Sequence, residues 1–238
     1  NLKIIFRENI ITSLLFFISL VGLGQISGKV EYEIEIGDDP RFLLHEGLTE
    51  IMRSGQTLSN DLTFNLYFKE NQSYFEINNS PINYLYYVNL FMAASTDPEC
   101  SCYSDLKNQI FSCVIYNRFL DEEFILEDKN DFQWEITNEE KEIQNLKVFK
   151  AIGKTRNNER IEAWFTPEIP VNAGPENFMG LPGLILELQV LYTKYICKKI
   201  EFTNSYDSKI VKATGKEIIN YKSFDEQIQK QHNFLMNQ

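Results

Sequence analysis

Apolar and polar residues alternate with a period of two along most of this chain, the pattern of strands with one wet face. Gly28 to Ile36 opens it, with Val30, Tyr32, Ile34 and Ile36 interleaved with glutamates. Gly37-Asp38-Asp39-Pro40 stops that strand, and Phe42, Leu43, Leu44, Leu48, Ile51 and Met52 then recur at helical spacing, which predicts a short helix to about Arg53. Leu62, Phe64, Leu66 and Phe68 alternate again, and the turn Glu70-Asn71-Gln72 predicts a hairpin back through Ser73 to Asn78. Ile82 to Ala94 is rich in aromatics without clean periodicity; its Tyr84, Tyr86 and Tyr87 suit core packing better than a ligand wall. Further strands are predicted at 101–106, 109–117, 119–127, 132–137, 146–153, 160–165, 184–191 and 194–202, with a continuation at 209–213. The polar stretch Asn138 to Asn145 reads as a turn or wide loop. Ser223-Phe224-Asp225-Glu226 has capping-box spacing, and Phe224, Ile228, Phe234 and Leu235 form an apolar stripe for a C-terminal helix.

Ten or so short strands joined by hairpins, with no strand-helix alternation, predict a mainly β fold (α+β): a curved, meandering antiparallel sheet with a few short helices. So many strands twist and curl toward a half-barrel or open barrel, whose concave face must be filled by helices, loops or a ligand.

One connection departs from the hairpin pattern. Between the strand ending at Trp164-Phe165 and the strand starting at Leu184, the chain runs through four of its seven prolines, Pro167, Pro170, Pro175 and Pro182. Proline fixes φ and lacks an N–H, so this is semi-rigid backbone outside any ladder. Leu181-Pro182-Gly183-Leu184 suits a type II turn. A connection this long is uncommon unless it covers a binding site or plugs an open edge, and both readings stand at this point.

Length and charge set the address. The 238 residues suit one domain, residues 25–238, after a leader at 1–24 in which Lys3 and Arg7 precede an apolar run from Ile10 to Leu23. That run is too short for a bilayer that needs ~20 apolar residues. The small Gly22 and Gly24 predict cleavage before Gln25, and no later segment reads as a membrane span. The formal charge is −11, and the leader removes two basic residues for one acidic. Such a surface disfavours nucleic acid and anionic lipid as partners.

The residues that carry chemistry are few. Neither His45 nor His232 lies beside a candidate nucleophile, and no Gly-x-Ser-x-Gly, phosphate loop, paired-histidine metal spacing or dinucleotide fingerprint occurs. No cofactor is expected. Glu168 and Glu176 share the long loop and could flank a glycosidic bond or hold a cation, although solvated loop charges are the simpler reading. The cysteines are Cys100, Cys102, Cys113 and Cys197, an even number in an exported chain. With Lys107-Asn108 at a hairpin turn, counting outward sets Cys102 opposite Cys113 at disulfide distance. Thiolate ligation of a soft metal by Cys100, Cys102 and Cys113 is the alternative, and a Cys100–Cys197 bond has no separate support.

The hexapeptide Gly180-Leu181-Pro182-Gly183-Leu184-Ile185 stands with Trp134, Lys150-Ala151, Ala163 to Pro170, Gly174-Pro175 and Glu187 in an order and spacing that resemble the GLPGLI family of bacterial envelope proteins over roughly residues 103–190. Val148 stands where members often have a cysteine. The resemblance implies an exported, β-dominated protein in the periplasm or cell envelope of a Gram-negative-type bacterium, and it brings no catalytic residues. Motif and loop together nominate Trp164, Phe165, Pro167, Glu168, Pro170, Gly174, Pro175, Gly180, Leu181, Pro182 and Gly183 as a binding rim for an unknown ligand or envelope protein. The expected function is non-catalytic binding. Its rivals are an accessory role in an outer-membrane transport or secretion assembly, and a carboxylate-dependent hydrolase.

Overall fold

A computed structural model describes residues 26–44, 46–78, 101–117, 122–155 and 158–227. The leader and Gln25, His45, His232, the aromatic run 82–94, Cys100, Asn157 and the terminal residues Ile228, Phe234 and Leu235 lie outside them.

Twelve strands form one sheet: β1 Ser27–Ile36, β2 Thr63–Lys69, β3 Gln72–Ile77, β4 Ser101–Asp105, β5 Ile110–Asn117, β6 Glu122–Lys129, β7 Glu135–Ile143, β8 Leu146–Lys154, β9 Arg160–Thr166, β10 Leu184–Val190, β11 Thr193–Phe202 and β12 Ile218–Ile219. Their spatial order is β12-β6-β5-β4-β3-β2-β1-β11-β10-β9-β8-β7. Two antiparallel meanders, β1 to β6 and β7 to β11, therefore meet where β11 pairs with β1, Gly28 opposite Phe202. Among the described residues all pairings in this sheet are antiparallel except that of the two-residue β12, which lies parallel to β6 and makes the sheet mixed.

The sheet is strongly curled, and chain length shows it. Only Asn130 to Trp134 join β6 to β7, which lie ten strand intervals apart. Laid flat, ten intervals would measure ~48 Å, whereas that connection reaches ~20 Å. The edges must approach each other, yet they do not pair, so the barrel stays open. Its inner face carries the main core, including Val30, Tyr32, Ile34, Phe64, Leu66, Phe75, Phe111, Leu126, Phe165, Leu188 and Tyr195, all buried.

Two helices follow β1: α1, Pro40–Leu43, and α2, Glu46–Ser59, which extends six residues past the predicted stop and buries Met52, Gly55 and Ser59. Residues 221–227 form α3. Its cap is Asn220, whose Oδ1 accepts the Ser223 amide at 2.9 Å, and Ser223 itself is already inside the helix. The polar stretch 138–143 is strand, part of β7, because an edge strand with both faces wet shows no alternation to read. Gln144 and Asn145 make its turn, with φ of 52° and 60°. No strand forms at 209–213, where a 3-10 turn at Asp207–Lys209 precedes irregular chain.

The β4–β5 hairpin has the predicted register, Cys102 opposite Cys113, and the two are joined by a disulfide with Cα atoms 4.1 Å apart. That bond removes both thiols from any metal site. Cys197 is a free, buried thiol on β11.

Candidate functional site

The loop between β9 and β10 enters the curled sheet and fills much of its concavity. Ile169, Val171, Ala173, Phe178, Met179 and Leu181 are each at most 5% exposed and belong to the main core. Buried backbone needs partners, and the loop finds them in short turns of its own and in β10. The Val171 amide bonds the Ile169 carbonyl at 2.7 Å, Leu184 returns to Ile169 at 3.0 Å, and Ile185 bonds Ala173 at 2.9 Å. Ala173 and Met179 form an isolated bridge around a turn closed by the Phe178 amide on the Pro175 carbonyl at 3.1 Å. Gly174 sits where a Cβ would lie 2.7 Å from Ile185 Cδ1, so the glycine permits this insertion.

The expected type II turn at Pro182 is a tighter one. Gly183 N–H donates to the Leu181 carbonyl at 2.8 Å, two residues back, while Leu184 turns its amide to Ile169. Gly183 has φ +156°, and a Cβ there would meet the Thr166 carbonyl oxygen at 2.0 Å.

Side chains from the rest of the barrel hold the plug. The Met179 carbonyl accepts Trp134 Nε1 at 2.9 Å and Asn130 Nδ2 at 3.3 Å, so the short β6–β7 connection is clamped to it. Asn130 also bonds Gln109 Oε1 at 3.0 Å in the β4–β5 turn. Phe132 stacks on Phe178 at 4.8 Å. Tyr195 on β11 donates to Glu176 Oε1 at 2.6 Å, and Tyr32 on β1 donates to the Ile185 carbonyl at 2.5 Å. Burial, with the nearby Cys197 second, pushes the Tyr32 hydroxyl well above the ordinary tyrosine range. Sequence reasoning did not single out Asn130, Tyr32 or Tyr195. Nothing in the sequence pointed to this clamp: a link as short as Asn130 to Trp134 reads as an ordinary turn until the strand order sets β6 and β7 ten intervals apart.

The nominated residues divide by exposure. Phe165, Gly174, Pro175, Leu181 and Gly183 are buried in the plug or its seat, Phe165 with its ring 6.2 Å from Phe149. Pro167 is half-buried, and Glu168, Pro170, Gly180 and Pro182 are exposed. Glu168 Oε1 accepts the Lys147 amide at 3.0 Å, tying the exposed part of the loop to the start of β8. Trp164 lies half-buried on the outer face, opposite Lys150 and Glu187 in register. The twisted β7–β8 hairpin lays Lys141 Nζ 4.3 Å from its ring and 2.7 Å from Glu187 Oε2, and Lys194 meets the other oxygen of Glu187 at 3.2 Å. Lys150 bridges Glu162 and Glu139, and its bond to Glu162 raises its pKa. At Glu162 burial acts upward, but the bonds from Lys150 and Arg160 outweigh it and lower the carboxyl. These are structural ion pairs around a tryptophan.

Away from the loop, an open cleft of about 600 Å³ lies between the end of β1, α2 and the β10–β11 turn, lined by Glu35, Asp38, Gln56, Asn60, Gln189 and Tyr192 among others. Among the described residues no cluster of three or more His, Cys, Asp or Glu is placed to hold a metal, and no helix is long and apolar enough to cross a membrane.

The model of a family of proteins of unknown function, Porph_ging, matches residues 153–187, from the end of β8 through the plug into β10. Two structures of PNGF-II resemble the whole fold. The one in space group C2 is 15% identical, with a TM-score of 0.51 over 82% of this chain and 31% of that one. The one in P21 is 14% identical, with a TM-score of 0.55 over 86% and 33%. At such identity the likeness is one of fold, and this chain spans about a third of the PNGF-II length. An uncharacterized conserved protein from Thermus thermophilus matches at 7% identity and a TM-score of 0.38, over 88% of this chain and 98% of its own. No curated protein matches the sequence.

Proposed function

We propose that the protein is an exported, non-catalytic binding protein of a bacterial cell envelope, of the GLPGLI type, that engages an envelope protein or ligand through the rim formed by Pro167, Glu168, Pro170 and Pro182. The observation that carries this reading is the division of a single loop into a buried half and an exposed half. The concavity that would otherwise admit a ligand holds the chain's own apolar residues. What remains outside is a short strip of prolines and one carboxylate on backbone that cannot relax. Rigid presentation of this kind lowers the ordering entropy of association. The Cys102–Cys113 disulfide supports an oxidising compartment. Against a pair of catalytic carboxylates, Glu168 is tied to Lys147 on β8 while Glu176 bonds Tyr195 on β11.

The test is native mass spectrometry and in situ crosslinking of the protein from its own envelope, compared with a Glu168→Arg, Pro170→Ser double variant. Wild type should carry a defined partner that the variant loses at unchanged melting temperature. Retention of that partner by the variant, or a wild type that captures nothing, overturns the rim reading. Turnover abolished by Glu168→Gln alone would establish the hydrolase instead.

A further inference from the structure

The face of β2 to β6 turned away from the plug holds a second buried zone. Tyr67 and Ile125 are 4% and 0% exposed, yet neither belongs to the main core. Cross-strand register sets Tyr67, Tyr74, Tyr103, Ser112 and Glu127 in one row across the five strands. Over this row, from the end of β11 to β12, runs a strap of mostly irregular chain, residues 203–217.

The strap is held by ion pairs, one through its own Asp207, whose Oδ2 lies 2.6 Å from Lys69 Nζ on β2, and the rest through its lysines. Lys209 Nζ lies 3.5 Å from Glu76 and 6.0 Å over the Tyr67 ring, Lys212 Nζ lies 2.5 Å from Glu127, and Lys216 pairs with Glu123. Tyr206 leans on Tyr67 at 5.3 Å between ring centres, and the Ile125 amide bonds the Glu217 carbonyl at 2.8 Å. The fit is incomplete: Val211 and Ile218 are 62% and 58% exposed. Beneath, Asn65 Oδ1 and Ser112 Oγ take no hydrogen bond, although each residue is only 2% exposed. Both belong to the outward-facing set of their strands, Asn65 beside Glu76 in register and Ser112 between Tyr103 and Glu127. A buried acceptor without a donor is destabilising and calls for an explanation.

We propose that this outer face is a binding surface for an extended, lysine-bearing peptide segment of a partner protein, and that the strap is its resident occupant. Carboxylates and tyrosine faces select cations. Glu76, Glu123 and Glu127 lie in the same zone, on a chain of formal charge −11. The strap displays the chemistry the surface recognises, since its three lysines take the carboxylates and the Tyr67 face while Asn65 and Ser112 stay without donors. A partner segment that brings those donors as well replaces it. Ion pairs as exposed as these hold weakly and are screened by salt, so the strap exchanges without unfolding the sheet, and β6 gains a pairing edge when it leaves. The inference is independent of the rim.

The experiment uses the full chain and, as probe, a labelled peptide with the sequence of residues 206–219, followed by fluorescence anisotropy. At low salt, a Lys209→Ser, Lys212→Ser, Lys216→Ser variant should bind the peptide about tenfold or more tighter than wild type. Adding Glu127→Gln should reverse that gain, and high salt should abolish it. Equal binding to variant and wild type, no binding to either, or indifference to Glu127→Gln overturns the proposal. If the triple variant does not fold, hydrogen exchange of the wild type decides. The Ile125 amide should exchange several-fold faster at high salt while amides across β4 and β5 keep their protection. An Ile125 amide that opens only with the whole sheet overturns it.

Discussion

At Gly183 a single hydrogen atom faces the Thr166 carbonyl where a Cβ would lie 2.0 Å away. Gly183→Val therefore has to push β9 from β10 at the mouth of the plug as well as adopt a φ that branched residues avoid. Destabilisation of about 1–3 kcal/mol or more is expected, read as a lower urea midpoint. Glu168→Gln should change the unfolding free energy by less than about 0.5 kcal/mol. The disulfide closes a small loop, and Cys102→Ser, Cys113→Ser should lower stability by about 2–4 kcal/mol. Cys197 should stay unalkylated in the native protein at pH 8, since burial pushes its thiol up to about 12. Tyr67 gives a pH dependence with a definite sign. Its hydroxyl is pushed up to about 12, mainly by burial and then by Glu76. The unfolded chain therefore loses this proton first, near pH 10, and the associated stability is complete below pH 10 and lost between pH 10 and 12. A urea midpoint that stays level across that window would contradict the assignment.

Elements that alternate were legible and elements that do not were not. The β4–β5 hairpin has the register counted outward from Lys107-Asn108, and hairpins also form at the turns read at Glu70-Asn71-Gln72 and Thr155–Glu159, the first with Gln72 already in the ladder opposite Lys69, because each buries one face. β10 misleads in part. Its leucines alternate on paper, but a bulge between Ile185 and Glu187 takes up Leu186, and Ile185 turns to the same side as Phe165. The bulge is a demand of the plug, whose Ala173 carbonyl must meet the Ile185 amide, and nothing local encodes it. Of the nominated site, the motif located the segment, while its division into buried and exposed halves depended on residues about 45 positions or more away in sequence, such as Asn130 and Trp134 against Met179. Trp134 also lies on Gly153, where a Cβ would come 2.9 Å from its ring. Gly153→Ala should displace the ring, lengthen its bond to Met179 and destabilise by about 1 kcal/mol or more. Near-ultraviolet circular dichroism of Trp134 is the direct readout, and an unchanged spectrum would count against the clamp.

For the whole molecule, curl follows from connectivity and is held by the plug. If the clamp is what maintains it, lengthening the β6–β7 link matters little. A six-residue Gly/Ser insertion after Asp131 should reduce stability by only about 1 kcal/mol. Replacing Trp134 with Ala should loosen the curl, measured as a larger radius of gyration by small-angle scattering. An insertion that opens the sheet as much as Trp134→Ala would mean that tether length, rather than the plug, sets the curvature.

The central position of β1 also dictates an order of assembly. A chain made N-terminus first can pair β1 to β6 with their nearest neighbours as each strand is made. The other edge of β1 must then wait for β11, after β7 to β10 have all been made. Until then a strand with one apolar face and an unpaired edge stands open, a template for pairing with other chains. Closure of β11 on β1 is a late, non-local event of the kind that folds slowly. Truncation before Thr193 should therefore yield an aggregating half-sheet instead of a smaller soluble domain.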